Sequence, residues 1–230
     1  MKTRLLTEFY PHHISARFYQ NVLEKCYNTS ATMQECYHNY HHIDGMFCHA
    51  AELGWLLSAA EELAILFHDS VYVPGSKMNE QISVGRMYDY VGASYRDGNA
   101  TCFAQLFTKD MPGWVERTLT KASVIILDTI SHFPTSPESN CVLDLDLYEI
   151  GTKDFNRNSS LIYNEFHSML MVKYEGDEAE ARKQFAIGRG NWAEEFLNRP
   201  RIYHTVECEH MEIPARENLQ KLVDEGNKLK

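Results

Sequence analysis

The stretch Glu61-Glu62-Leu63-Ala64-Ile65-Leu66-Phe67-His68-Asp69-Ser70-Val71-Tyr72 decides how this chain is read. An apolar run of helix-forming residues ends in an adjacent His-Asp pair and then meets Pro74-Gly75. Ser58, with Glu61 three residues on, makes a capping box and starts a helix. Leu63, Leu66 and Phe67 lie one turn apart and predict a buried face. His68 and Asp69 then fall in the last turn, beside a loop that can open to a cleft. Adjacent helical positions point roughly 100° apart, yet both side chains are long enough to converge on one small ion. A neutral imidazole beside a carboxylate suits a divalent metal. Taken alone, the pair also reads as an ordinary helix end, with His near the negative pole and Asp at the turn.

The flanking sequence is helical in pattern. Ser15 can cap a first helix whose buried stripe is Phe18, Val22 and Cys26, before a polar break at Asn28-Thr29-Ser30 and a short element up to Cys36. Tyr37 to Met46 leads into a helix running to about Leu57 and interrupted near Gly54. Asn79 can cap a helix carrying Ile82, Met87 and Val91. Asn99 to Lys109 is ambiguous. The clearest periodicity runs from Gly113 to Phe133, with Val115, Leu119, Ala122, Ile126, Ile130 and Phe133 spaced by three and four, and it stops at Pro134. Asn140 to Ile150 is a short helix closed by Gly151, and Ser159 to Tyr174 puts Ile162, Phe166 and Met169 on one face. Asp177 and Glu180 open another helix, which ends before Pro200. From Pro214 onward the sequence predicts a charged, peripheral helix. Only Arg201-Ile202-Tyr203-His204-Thr205-Val206 has a β-type pattern, so the fold class is all-α.

Composition sets bounds on function. With 230 residues and 44% hydrophobic content, the chain can form one ample domain or one domain with an appendage. A formal net charge of −10 excludes general nucleic-acid binding, which needs a basic surface. A small anionic substrate remains compatible, because a metal and a few arginines can reverse the field within one cleft. No run reaches the roughly 18 apolar residues of a membrane helix. Met1 to Leu6 lacks the apolar core of a signal peptide. The six cysteines are scattered without a C-x-x-C pair, which fits reduced thiols and a cytoplasmic location.

Four of the eleven histidines lie between positions 38 and 49. If that stretch is helical, His38 and His42 are one turn apart and can face the same site. Leu143-Asp144-Leu145-Asp146-Leu147 sets two carboxylates inside an apolar segment. One of them must sit close to the core, where a carboxylate is costly unless paired or metal-bound.

The order His42, His68-Asp69, Asp146 resembles the H…HD…D pattern of HD-domain metal-dependent phosphohydrolases. The likeness is closer to a branch of small predicted HD phosphohydrolases. This chain carries Tyr37-His38-Asn39-Tyr40-His41-His42-Ile43, then Phe67 to Tyr72 as F-H-D-x-V-Y, and Asn79-Glu80. Thr129 to His132 follows as T-x-x-H, and Asp144 to Gly151 as D-x-D-L-x-x-I-G. Gly188-Arg189 and the R-P-R-I-Y-x-T run from Arg199 to Thr205 complete the series. The resemblance covers about residues 15–206. Tyr40 stands where the pattern has Leu, and residues 95–113 and those beyond 206 have no counterpart.

What the resemblance implies is an HD-type helical bundle over residues 1–206, with a metal site in a central cleft and 207–230 as a C-terminal helical appendage. His42, His68, Asp69 and Asp146 would hold one divalent ion (Mn, Fe, Co, Ni, Zn or Mg), with Asp146 preferred to Asp144 as the second Asp of D-x-D. Asp144 then becomes a supporting or solvated group. Glu80 would orient or deprotonate the attacking water, and His38 and His132 would bind phosphate or protonate the leaving group. Arg189 and Arg201 become phosphate clamps, because guanidinium forks match phosphate oxygens, and Tyr72 lines a base or sugar pocket. Tyr203 either lines the same pocket or packs in the core. His12, His13, His49 and His167 read as solvated or structural. The implied activity is hydrolysis of a phosphate ester or pyrophosphate of a nucleotide or similar small metabolite. Alternatives on the same scaffold are a di-iron oxygenase, for which ligands suffice only if His38 contributes, and a non-catalytic nucleotide-binding protein. Oligomeric state is open.

Overall fold

The computed structural model describes residues 11–27, 35–96 and 111–230. Met1 to Leu6, the break at Asn28-Thr29-Ser30, Cys102 and the ambiguous stretch 99–109 lie outside these residues. The described residues form helices and no strand, so the protein is all-α. The helices are α1 (Ala16–Val22), α2 (Tyr40–Glu52), α3 (Ala59–Phe67), α4 (Asn79–Arg96) and α5 (Met111–Asp128). They continue with α6 (Asn140–Leu147), α7 (Phe155–Lys173), α8 (Glu178–Leu197) and α9 (Glu212–Leu229). None of them is long and apolar enough to cross a membrane.

The chain divides into two compact units, one of residues 1–34 and 38–145 and the other of residues 35–37 and 146–230. The division falls inside α6, between Leu145 and Asp146.

The first unit is built around α3. Ser58 caps it through the predicted reciprocal pair with Glu61, and all but one of its residues are buried. The buried set exceeds the predicted stripe because α2, α4 and α5 all pack against this short helix. Ser15 caps α1, which continues through a wider π-helical turn at Leu23–Tyr27, and Phe18, Val22 and Cys26 are buried as the pattern predicts. Asn39 caps α2, with its side chain accepting from the His41 N–H, and Gly54 ends the following turn at φ 72°. That backbone region favours glycine, so α2 stops at Glu52 and does not continue to Leu57.

Two expectations for this unit fail. Ile82 on α4 is exposed, while Met87 and Val91 are buried. The Gly113–Phe133 periodicity also overruns its helix: α5 ends at Asp128, and Ile130 and Phe133 are 50% and 63% exposed. The cause is the buried Asp128 carboxylate, which accepts the Thr135 N–H, the Thr135 hydroxyl and the Ser139 hydroxyl. Those bonds fold the chain back, with His132 at φ 49°, and turn the last two apolar positions outward.

In the second unit, α9 runs back along α8. Arg216 donates to the carbonyls of Leu197, Arg199 and Pro200 near the end of α8, whereas Gly226 approaches Ala186 and Gly190 farther up. A Cβ added at Gly190 would lie 3.0 Å from the Leu222 carbonyl oxygen, so glycine permits this approach. Ala215 and Leu219 are fully buried, and α9 is a packed element, not a peripheral appendage. Asp177 caps α8, with its side chain accepting from the Glu180 N–H. On α7 the buried residues are Phe155, Tyr163 and Leu170, and Met169 is exposed. The β-type run 201–206 forms no strand. Its Ile202 and Tyr203 N–H groups bind the Glu212 carboxylate, and the Tyr203 hydroxyl donates to the Leu147 carbonyl.

Candidate metal centre

His42, His68 and Asp69 bring one ligand atom each to within 4.8 Å of one another, a group that can hold a metal ion. All three belong to the first unit. The Asn39 cap sets His42 in the first turn of α2, where it is 5% exposed. His68 is the residue at which α3 ends and is 1% exposed, with Asp69 half-buried in the turn beyond it.

The Asp69 carboxylate is the centre of the cluster. Its Oδ2 lies 3.0 Å from Nε2 of His68 and 3.9 Å from Nε2 of His42. Nε2 of His38 also approaches the same oxygen, at 4.0 Å. His38 precedes the cap of α2, so it reaches the site from the loop and not from the helical turn its spacing suggested. Its ring stacks on Tyr72, with centroids 3.9 Å apart and planes at 24°.

The donor chemistry fits a cation. Nδ1 of His68 lies 3.0 Å from the Ile65 carbonyl oxygen, which only accepts, so Nδ1 carries the proton. In the neutral ring Nε2 then presents its lone pair toward an anionic carboxylate oxygen 3.0 Å away. Two lone pairs at that distance in a mostly buried pocket require a positive charge between or beside them, either a proton or a metal. Two imidazole nitrogens and one carboxylate oxygen are an ordinary set for a divalent transition ion.

Neighbouring groups feel this burial. Tyr27 donates to the Leu66 carbonyl at 2.9 Å, and its hydroxyl is held well above the usual range, first by burial and then by the charge of Asp69. Burial also pushes Asp44 up, against the lowering effect of a hydrogen bond from Tyr19.

The other predicted residues are placed as follows. Glu80 is half-buried in the first turn of α4, where a carboxylate suits the helix dipole. His132 is half-buried in the turn after α5. Asp146 is half-buried on α6 and is the first residue of that stretch to belong to the second unit. Asp144 is fully buried in the first unit, so a solvated role for it is excluded. Arg189 lies in the second unit with its guanidinium 4.1 Å from the Trp192 ring centre, and Arg201 is exposed after α8. Tyr203 is fully buried and serves the core. His167, read as solvated or structural, bonds Glu178 at 2.9 Å.

Sequence reasoning missed Ser83 and Arg86 and read Asn79 as a helix cap and as half of the Asn79-Glu80 motif, with no tie to the His-Asp loop. All three bind the backbone just beyond the His-Asp pair. Their spacing on one helical face was the available signal, but polar residues at that spacing ordinarily face solvent.

Comparison with known proteins returned no matching family model, no matching curated protein and no matching solved structure.

Proposed function

We propose that this protein is a metal-dependent phosphohydrolase acting on a nucleotide or a similar small phosphorylated metabolite. The observation that carries the reading is the convergence of His42, His68 and Asp69 from two separate stretches of chain onto one buried point. The ordered motifs quoted above, and their resemblance to HD-domain phosphohydrolases, add support. Two imidazoles and one carboxylate weight the metal toward Mn, Fe, Co, Ni or Zn over Mg. A divalent ion held there would polarise a phosphoryl oxygen and lower the pKa of bound water.

The remaining work falls to side chains. His38, packed on Tyr72 and facing Asp69, would hold a proton for the leaving group or hydrogen-bond a phosphate oxygen. Glu80 is the assigned water-orienting carboxylate. His132 keeps its proposed role in binding phosphate or protonating the leaving group, and Arg189→Ala and Arg201→Ala test the clamp role that the resemblance implies for those arginines. The resemblance assigns a further ligand to Asp146, and comparing metal retention in Asp146→Asn with that in Asp144→Asn decides the assignment.

A second reading, a di-iron oxygenase, draws on the third imidazole that His38 brings to Asp69. One preparation tests both. A panel of phosphorylated metabolites is assayed for phosphate release with Mn²⁺, Co²⁺, Mg²⁺ and a chelator, and oxygen uptake is measured with Fe²⁺. Metal-dependent phosphate release without oxygen uptake supports the hydrolase. Oxygen uptake without phosphate release overturns it.

A further inference from the structure

Three polar side chains on one face of α4 bind the backbone that follows the His-Asp pair. Arg86 donates to the Ser70 carbonyl through Nη1. The Ser83 hydroxyl accepts the Val71 N–H at 3.0 Å and donates to the Val71 carbonyl at 3.5 Å. Asn79 accepts the Val73 N–H at 3.0 Å and donates to the Val73 carbonyl at 3.1 Å. Spaced at i, i+4 and i+7, they form a single line along the helix. Asn79 and Ser83 are 5% and 0% exposed, so this is a buried strap and not a solvated face.

The strap holds a segment of irregular backbone much as a neighbouring strand would. At its far end Ser76 donates to the Val73 carbonyl across Pro74-Gly75, with Gly75 at φ 79°, which closes a type II turn. The bound groups belong to residues 70, 71 and 73, on either side of Tyr72. The backbone that carries Tyr72 is thereby held on both sides, and its ring stacks on His38. His38 in turn faces the Asp69 oxygen shared by the other two histidines.

We propose that Asn79, Ser83 and Arg86 are positioning residues: by fixing residues 70–73 they set Tyr72, and through it the orientation of His38 and the setting of the Asp69 carboxylate. The proposal rests on the metal-centre reading for its effect on metal binding, but not for its effect on His38. Losing a hydrogen-bonding partner that orients a metal site lowers affinity by about 10- to 100-fold, and that is the effect expected here.

The test uses the full chain with three variants, Ser83→Ala, Asn79→Ala and Asn79→Asp, each confirmed as folded by circular dichroism. Two quantities are read. One is the His38 ring resonance in metal-free protein, which stacking on Tyr72 displaces upfield. The other is Co²⁺ affinity by competition with a chromogenic chelator, together with the visible spectrum of bound Co²⁺. Ser83→Ala and Asn79→Ala should lose the upfield displacement, weaken Co²⁺ by at least about 10-fold and alter its spectrum. Asn79→Asp, which keeps the acceptor for the Val73 N–H, should recover part of both. A lowered Tm with unchanged His38 resonance, affinity and spectrum would show a merely structural strap and overturn the proposal. If the wild-type protein binds no Co²⁺, the metal reading fails, and the His38 resonance alone decides whether the strap positions that ring. Should Asn79→Ala fail to fold, Ser83→Ala, which removes a single hydroxyl, carries the test.

Discussion

Glu62 in the first unit and Glu178 in the second each gather several hydrogen bonds, yet their protonation responds in opposite directions. Glu62 sits within α3, 1% exposed, and accepts the backbone N–H groups of His12, His13 and Ile14. Burial outweighs those three bonds and raises its pKa to about 7. Glu178 opens α8 at the surface, where Tyr163, His167 and Arg182 bind its carboxylate. The bonds from His167 and Tyr163 come first there, and they lower its pKa. Glu62 is taken out of water, and Glu178 is left in water. A cation has far more to gain in a buried setting, and the His-Asp cluster is mostly buried.

The contrast predicts its largest effect at the cluster. Asp69→Ala removes the oxygen that three imidazoles approach. On the proposed function, metal content by elemental analysis should fall from about one ion per chain to a small fraction, and metal-dependent phosphate release should drop by more than the roughly 100-fold expected for losing a supporting partner. Full occupancy in Asp69→Ala would break the comparison at its centre.

Glu62 gives the next effect. Replacing it with Ala leaves three backbone donors without their acceptor, which should lower stability by about 3 kcal/mol or more in denaturant unfolding at pH 6. Its pH dependence has a definite sign. With a folded pKa raised from 4.5 to about 7, the native state holds the proton more tightly, so this contribution is full below pH 4.5 and is lost as pH rises through 7. At 1.36 kcal/mol per unit the loss is about 3 kcal/mol. Wild type measured against Glu62→Gln should therefore lose stability between pH 4.5 and 7 and level off above that range. A flat difference across this window would mean that Glu62 stays ionised throughout.

In the second unit the close approach of α8 and α9 can be tested by adding a methyl group. Gly190→Ala places a Cβ 3.0 Å from a backbone oxygen, and shifting that backbone should exceed the gain in helix propensity, for a net destabilisation of about 1 kcal/mol. Gly188→Ala meets nothing within 4 Å and should stabilise by up to about 1 kcal/mol, as for an exposed helix position. Equal effects at the two sites would remove the packing role of Gly190.

How far the sequence reached follows the same division. Ser15, Ser58 and Asp177 were readable as caps because the bond each makes is local, to a backbone N–H three residues on. His42, His68 and Asp69 were readable because their order is a sequence property and the spacing of His68 and Asp69 is fixed by the helix end. Asp128 was not, since its partners Thr135 and Ser139 lie beyond Pro134, the residue at which the periodicity stops. Nor was the packing of α9: its charged composition pointed to solvent, while Gly190 and Gly226, which let the helices meet, leave no mark in an apolar pattern. Periodicity finds faces that bury side chains and is blind to faces that bury backbone.

The smallest expected effect belongs to Glu178 and separates the two carboxylates most directly. Its folded pKa is lowered from 4.5, so its contribution is present above pH 4.5 and is lost as pH falls through the folded value, a window that does not overlap that of Glu62. The carboxylate is exposed and screened, so the change should be small and should shrink further in high salt. The measurement is the Tm of wild type against Glu178→Gln between pH 3 and 8, at low and high ionic strength. The difference lost to protonation of Glu178 itself should narrow below pH 4.5, whereas the Glu62→Gln difference moves mainly between 4.5 and 7. If Glu178→Gln instead moved in the Glu62 window and ignored salt, desolvation would govern both carboxylates, and the distinction between a buried carboxylate and a wet one would fail.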